Sequence, residues 1–165
     1  MIPVLYPANS TSFTTFGLGT LTDTISCEVT EERNGVFECI LKYPITGQHY
    51  KLIAKERIIK AKPNDTGEPQ AFRIYRITKP LDGVVTVYGQ HISYDLANVP
   101  VMPFYAESRS PSLLLNQLLA GDSRFTGWTD YSEAKEFSVT TPKSVRACLG
   151  GTEGSMLSKW HGEFE

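Results

Sequence analysis

Neither charge sign dominates this chain. Sixteen Lys and Arg stand against eighteen Asp and Glu in 165 residues, a net charge of −2 and a pI near 5.9. A balance like that gives no global positive field for gripping a phosphate backbone. Cysteine is scarce: Cys27, Cys39 and Cys148 only. An odd count argues against a fully paired disulfide framework, and none of the spacings is CxxC. Cys27 and Cys39 fall at apolar slots of alternating segments and read as small buried hydrophobes, with a Cys27–Cys39 bridge as the rival reading. The histidines His49, His91 and His161 stand alone, without clustered partners for a metal. No stretch approaches the roughly 18 apolar residues of a membrane span. The opening MIPVLYPANST lacks the basic and apolar regions of a signal peptide. Hydrophobic residues at 41% and charged residues at 21% place the chain among ordinary globular proteins, not disordered ones.

What is present is a succession of strand signals. The stretch Phe72 to Leu96, FRIYRITKPLDGVVTVYGQHISYDL, alternates aromatic and β-branched residues with polar ones. Asp82-Gly83 supplies a two-residue turn within it, and the second run, Val84 to Tyr88, is expected to continue as strand through His91 to Leu96. Upstream, Pro3 to Tyr6 is a short apolar opening, and Ile25, Cys27 and Val29 alternate with polar neighbours. Asn34-Gly35 turns the chain into Val36 to Tyr43, Thr46-Gly47 turns it into an expected strand over Tyr50 to Lys60, and residues 63 to 67 are a loop by composition. Strands at this spacing, with Gly, Asn and Pro between them, predict an antiparallel barrel or sandwich over residues 1 to 103.

Two prolines in Val99 to Pro103 bar a central strand and mark the expected domain border. Residues 104 to 165 then read as the start of a small α/β domain. Ser110 caps a helix with Pro111 at its first position; Leu113, Leu114, Leu118 and Leu119 form its expected apolar face, and Gly121 ends it. Glu136 to Val139 is a candidate strand. Thr141-Pro142 is expected to open a second helix carrying Val145, Cys148 and Leu149, stopped by Gly150-Gly151. Gly154-Ser155 caps a third helix with Met156, Leu157 and Trp160. The ending, Trp160 to Glu165, reads as a helix exit into a strand, as though the chain were the front part of something longer.

The words FRIY and HISYDL, together with Tyr43-Pro44-Ile45-Thr46-Gly47, the Pro111 to Leu119 helix, Thr141-Pro142-Lys143-Ser144-Val145 and Gly154 to Phe164, resemble in order and spacing the N-terminal region of phage tail-tip proteins. That family goes by prophage tail endopeptidase, tail-associated lysin or baseplate hub. The resemblance implies a mainly β fold: an antiparallel barrel like those of tail-tube and baseplate-hub subunits, followed by part of an inserted α/β domain. It implies a virion structural component at the tail tip, assembled in the bacterial host cytoplasm, that closes or caps the tail tube. The implied partners are two further copies in a homotrimer, the tail-tube or distal tail ring, and receptor-binding or tail-fibre proteins, with phage DNA passing through the ring without specific binding. In relatives any peptidase lies in a C-terminal part beyond the residues present here, so this stretch is read as a non-enzyme, with a cell-wall-degrading endopeptidase as the alternative.

The residues themselves assign no catalytic, cofactor-binding or metal-ligating site. His91, Ser93 and Asp95 look like a Ser-His-Asp set, but alternate strand positions lie about 6.5 Å apart along the strand, too far for a nucleophile–base hydrogen bond. No nucleophile elbow surrounds Ser93, and Gly17-Leu18-Gly19 lacks the rest of a phosphate-binding pattern. Phe125, Trp128, Tyr131 and Phe137 read as filling for the core of the second part, with sugar stacking as the rival. Lys55, Arg57, Lys60, Arg73, Arg76 and Lys79 read as solvated faces or intersubunit pairs, with a nucleic-acid stripe as the rival.

Overall fold

The fold is taken from a computed structural model, which describes residues 1–64 and 66–162. The strand expected to begin in Glu163 to Glu165 lies outside the described residues. Strand outweighs helix, 34% to 18%, so the chain is mainly β as its alternating segments require. Contacts divide it into two units, Met1–Ile92 and Ser93–Glu165. The division falls earlier than the proline-marked stretch at 99 to 103, because Leu96, Val99 and Val101 pack into the second hydrophobic cluster.

Seven strands build the first unit: β1 (Val4–Tyr6), β2 (Gly19–Thr20), β3 (Ser26–Glu31), β4 (Phe37–Pro44), β5 (Ile58–Ala61), β6 (Gln70–Ile77) and β7 (Val84–His91). They form one antiparallel sheet in the order β2-β1-β5-β6-β7-β4-β3, curled into a half-barrel. Each turn signal acts where it stands. Asn34 sits at φ 53°, and the Glu32 amide donates to the Val36 carbonyl at 2.7 Å to close the β3–β4 hairpin. Asp82 (φ 50°) and Gly83 (φ 75°) close the β6–β7 connection, both with the positive φ of a type I′ turn. Leu5, Leu21, Leu41, Tyr43, Ile59, Phe72, Ile74 and Val87 are fully buried in one cluster.

The curl follows from chain length. β2 and β3 are opposite edges of the sheet, yet only Leu21 to Ile25 separate them. Laid flat, seven strands would span about 29 Å. The six steps from Thr20 to Ser26 reach about 20 Å at full stretch. The connector is also folded back on itself, with the Thr24 amide and hydroxyl donating to the Leu21 carbonyl at 3.2 and 2.7 Å. Its ends are pinned to opposite sides of the sheet: the Leu21 amide donates to Pro3 (2.8 Å) and the Ile25 amide to Lys42 (2.9 Å). Asp23 fastens the corner. Its carboxylate accepts from the Gln48 amide at 2.8 Å and the Tyr43 hydroxyl at 3.3 Å. Gly47 must be glycine-like here, since a Cβ would stand 2.5 Å from the Tyr43 ring.

Two expectations are corrected in this unit. Tyr50 to Lys60 is not one strand: Tyr50–Leu52 form a 3-10 turn, Glu56 takes φ 68°, and strand pairing is confined to Ile58–Ala61. Tyr50, Leu52 and Ile53 are half-buried along the turn, and Ala54 to Glu56 are exposed. β7 also stops at His91; Ile92–Asn98 is a 3-10 helix. Ile92 and Leu96 are both buried, a spacing of four that a strand face and a helical turn share, so alternation alone could not tell the two apart.

The second unit holds β8 (Pro100–Val101), β9 (Phe104–Arg109), α1 (Pro111–Leu119), β10 (Lys135–Val139), β11 (Lys143–Ser144), α2 (Val145–Leu149) and α3 (Met156–Trp160). β9 pairs with β10 and β8 with β11, both antiparallel. Ser110, Ser144 and Ser155 each cap a helix through the side-chain oxygen. The cap of α2 is therefore Ser144 and not the expected Thr141. The buried face of α1 is Pro111, Leu114, Leu115, Leu118 and Leu119, a 3-1-3-1 spacing that leaves Leu113 outside at 61% exposure. Phe137 packs between Phe104 and Trp160, whose indole donates to the Glu133 carbonyl at 2.8 Å.

Leu21→Ala removes a fully buried side chain from the corner that sets the curl. It is expected to cost about 2–5 kcal/mol in urea unfolding; a cost under about 0.5 kcal/mol would show that the corner is not part of the packed core. The alkaline limb gives a second check. Burial, and after it the Asp23 charge, raises the Tyr43 phenol above its ordinary range, and burial raises Tyr6 as well. A group held protonated by folding stabilises the chain below the unfolded pKa near 10, and that stabilisation is lost as pH rises further. The urea midpoint should fall as pH passes above about 10, and the fall should be shallower in Tyr43→Phe.

Candidate functional site

The Ser-His-Asp set of the sequence does not lie on one strand. His91 ends β7 in the first unit, while Ser93 and Asp95 lie in the 3-10 helix and belong to the second unit. The expected strand spacing does not apply, because these residues do not share a strand. The His91 ring stacks on Phe37 at 4.5 Å, meets Phe72 edge-on at 5.7 Å, and lies 3.3 Å from the Gln70 side-chain oxygen. Asp95 is engaged by Arg124 at 2.7 Å. His49 lies against Gly19, where an added Cβ would meet its ring at 2.6 Å. His161 closes α3 in the left-handed region. Among the described residues no group of three or more His, Cys, Asp or Glu could hold a metal, and no helix is long and apolar enough to cross a membrane.

The basic residues do not form a stripe. Arg57 donates to the Leu52 carbonyl, and Arg73 to the carbonyls of Ala8 (3.0 Å) and Glu56 (2.7 Å). The Lys60 ammonium donates to the Phe13 carbonyl at 2.8 Å, and the Tyr6 hydroxyl donates to the same oxygen at 3.0 Å. Arg76 lies over the Tyr88 ring at 3.7 Å. Lys60 and Arg73 thus tie loops to the sheet, and Arg57 ties the 3-10 turn to the residue before β5, roles that neither solvated faces nor intersubunit pairs anticipated. Lys55 and Lys79 are exposed.

The aromatics of the second unit divide. Phe137 is core and Phe125 is partly buried, but Trp128 is 83% and Tyr131 43% exposed, so these two are not core filling. No ring contact joins them among the described residues, so they do not make a paired stacking platform. A cleft of about 330 Å³ in this unit is lined by Val99, Val101, Met102, Phe104, Gln117 and Leu118 among others, without a titratable side chain. Its chemistry is apolar contact, not proton transfer.

Two features have no counterpart in the sequence reading. Arg124 lies between two carboxylates, Asp122 at 2.6 Å and Asp95 at 2.7 Å, with all three side chains 12–13% exposed. Hydrogen bonding to Asp122 first, then to Asp95, raises the Arg124 guanidinium further above its usual range. The Gly-Asp-Ser turn before Arg124 hints at the local Asp122 bond; nothing local points to Asp95, 29 positions away. The other feature is the edge of the first sheet. Among the described residues no strand pairs with the outer side of β3, six residues long, whereas the opposite edge, β2, has two. Glu28, Thr30 and Glu31 are exposed along β3. A free edge offers unpaired backbone donors and acceptors to another strand, and its carboxylates oppose unselective pairing. Phe16 (79%) and Leu81 (76%) add exposed apolar surface to the same unit.

Comparison with known proteins adds the fold. No family model matches the chain, and no curated protein sequence matches it. Among solved structures, prophage tail protein gp18 from Listeria monocytogenes EGD-e is similar to it, with a TM-score of 0.59 at 14% identity over 86% of this chain. The match takes in 42% of that protein, so the chain spans less than half its length.

Arg124→Ala leaves Asp95 and Asp122 facing each other in a mostly buried site without their cation. It is expected to destabilise the chain by about 3–5 kcal/mol, read by denaturant unfolding. A loss under about 1 kcal/mol would mean that the ion pairs are no stronger than exposed ones.

Proposed function

We propose that the chain is a structural part of a bacteriophage or prophage tail, working by assembly and not by catalysis. The likeness of its fold, over 86% of its length, to a prophage tail protein carries the reading. The tail-tip words support it from the other side: FRIY lies on β6 and HISYDL begins at the end of β7, and the register sets Phe72 opposite His91. A free six-residue edge and bulky apolar side chains at the surface suit a subunit that is covered in a particle.

The finer reading is a baseplate hub at the tail tip. In it, the longer parent protein forms a homotrimer coaxial with the tube, bound to the tail-tube or distal tail ring above and to receptor-binding or fibre proteins below. The near-neutral, slightly acidic balance suits a conduit, since a basic lining would hold passing DNA through counterion release. The alternative reading is a cell-wall-degrading endopeptidase acting during phage entry. The proposal extends to the absence of any hydrolytic activity in this stretch.

Gold-labelled antibodies raised against the chain should decorate intact particles at the distal end of the tail. Label confined to the head or to fibres away from the axis would contradict the hub reading. Turnover of peptidoglycan by the purified chain that vanishes in Ser93→Ala or His91→Ala would favour the endopeptidase instead.

A further inference from the structure

Cys27 on β3 and Cys39 on β4 bring their sulfurs to 3.5 Å, both as free thiols. They are not directly opposite in the ladder. Cys27 faces Leu41 and Cys39 faces Val29, so the two are diagonal neighbours on the inward side of the hairpin. Cys39 is 1% exposed, whereas Cys27 is only partly buried. One thiol is therefore within reach of a small reagent, and the other is reached only through the first. We propose that Cys27 and Cys39 form a redox-active dithiol, which small disulfides oxidise to a bridge that staples the free edge strand β3 to the sheet.

The steps balance. The Cys27 thiolate attacks one sulfur of a small disulfide such as oxidised glutathione, breaking its S–S bond and expelling one thiolate. Cys39 then attacks the Cys27 sulfur, forming the intramolecular S–S bond and expelling the second small thiol; its proton passes to the departing sulfur. Two protein thiols are oxidised and one small disulfide is reduced to two thiols. The electrostatics run the same way: the hydrogen bond from Cys39 lowers the Cys27 thiol, and that bond together with burial raises Cys39. The more acidic thiol is thus the accessible one, as an attacking thiol requires.

Closing the bond shortens the sulfur separation by about 1.5 Å. Diagonal partners start farther apart than directly opposite ones, so part of that movement must come from the backbone. β3 can supply it, because among the described residues it pairs with a neighbour on one side only. In a reducing compartment the pair stays open, and outside one it closes. This chemistry stands independently of the tail reading. If that reading holds, the bridge would form when a particle leaves its host.

The test uses the native chain with oxidised glutathione, followed by intact mass and alkylation of the remaining thiols. The expected course is a transient single glutathione adduct, then a product lighter than the reduced chain by two hydrogens. Peptide mapping should join Cys27 to Cys39 and leave Cys148 alkylatable. Cys39→Ala should stop at a stable adduct on Cys27, and Cys27→Ser should react at least about tenfold more slowly than the wild type. An adduct that persists on the wild-type chain overturns the proposal, as does a bridge between two chains. So does a native chain that stays unreactive while all three thiols react in denaturant.

Discussion

Everything in the first unit depends on a short piece of chain that joins two distant strands. β2 and β3 are the opposite edges of a seven-stranded sheet, and Leu21 to Ile25 is all that connects them. A flat sheet cannot satisfy that connection, so the sheet curls. Curling turns Leu5, Leu41, Ile59, Phe72 and Val87 toward a common interior, where Leu21 joins them. The Asp23 carboxylate, held by the Gln48 amide and the Tyr43 hydroxyl, fixes the corner. The connector thus contributes to the core and sets its shape.

The same economy governs the charged side chains. Lys60 and Arg73 reach carbonyls of the segment between β1 and β2, and Arg57 reaches Leu52. Such bonds supply partners to loop backbone that no strand ladder pairs. They also engage three of the cations that a list of Arg and Lys would offer to a nucleic acid. What remains outward is the β3 edge with its carboxylates, and single bulky residues such as Phe16 and Leu81. The proposed assembly role draws on these features.

Local signals in the sequence were legible, and non-local ones were not. Asn34-Gly35 and Asp82-Gly83 made the turns their φ preferences demand, and Ser110-Pro111 opened a helix. Alternation misled in two places. Tyr50 to Lys60 and His91 to Leu96 read as strands, but each contains a 3-10 turn, for which local composition carries no signal. Of three adjacent leucines in α1, the expected face takes in Leu113 and passes over Leu115, whereas the 3-1-3-1 face buries Leu115 and leaves Leu113 outside. Trp128 and Tyr131 were read as core because aromatics usually bury; they lie in the irregular segment between α1 and β10, and both are exposed. Asp23 with Tyr43, and Arg124 with Asp95, join residues 20 and 29 positions apart. No periodicity or motif encodes such pairs, because the sheet and the helices bring them together only after folding.

The claim that the corner holds the sheet closed is open to one direct measurement: native-state amide hydrogen exchange at single-residue resolution. The Leu21 and Ile25 amides donate to Pro3 and Lys42 on opposite sides of the sheet. If the corner is integral, both should exchange only with global unfolding, at the same free energy as Leu41 and Ile59 in the central core. Rapid exchange at Leu21 or Ile25 while Leu41 and Ile59 stay protected would contradict the account, because the sheet would then keep its core with its two edges untied.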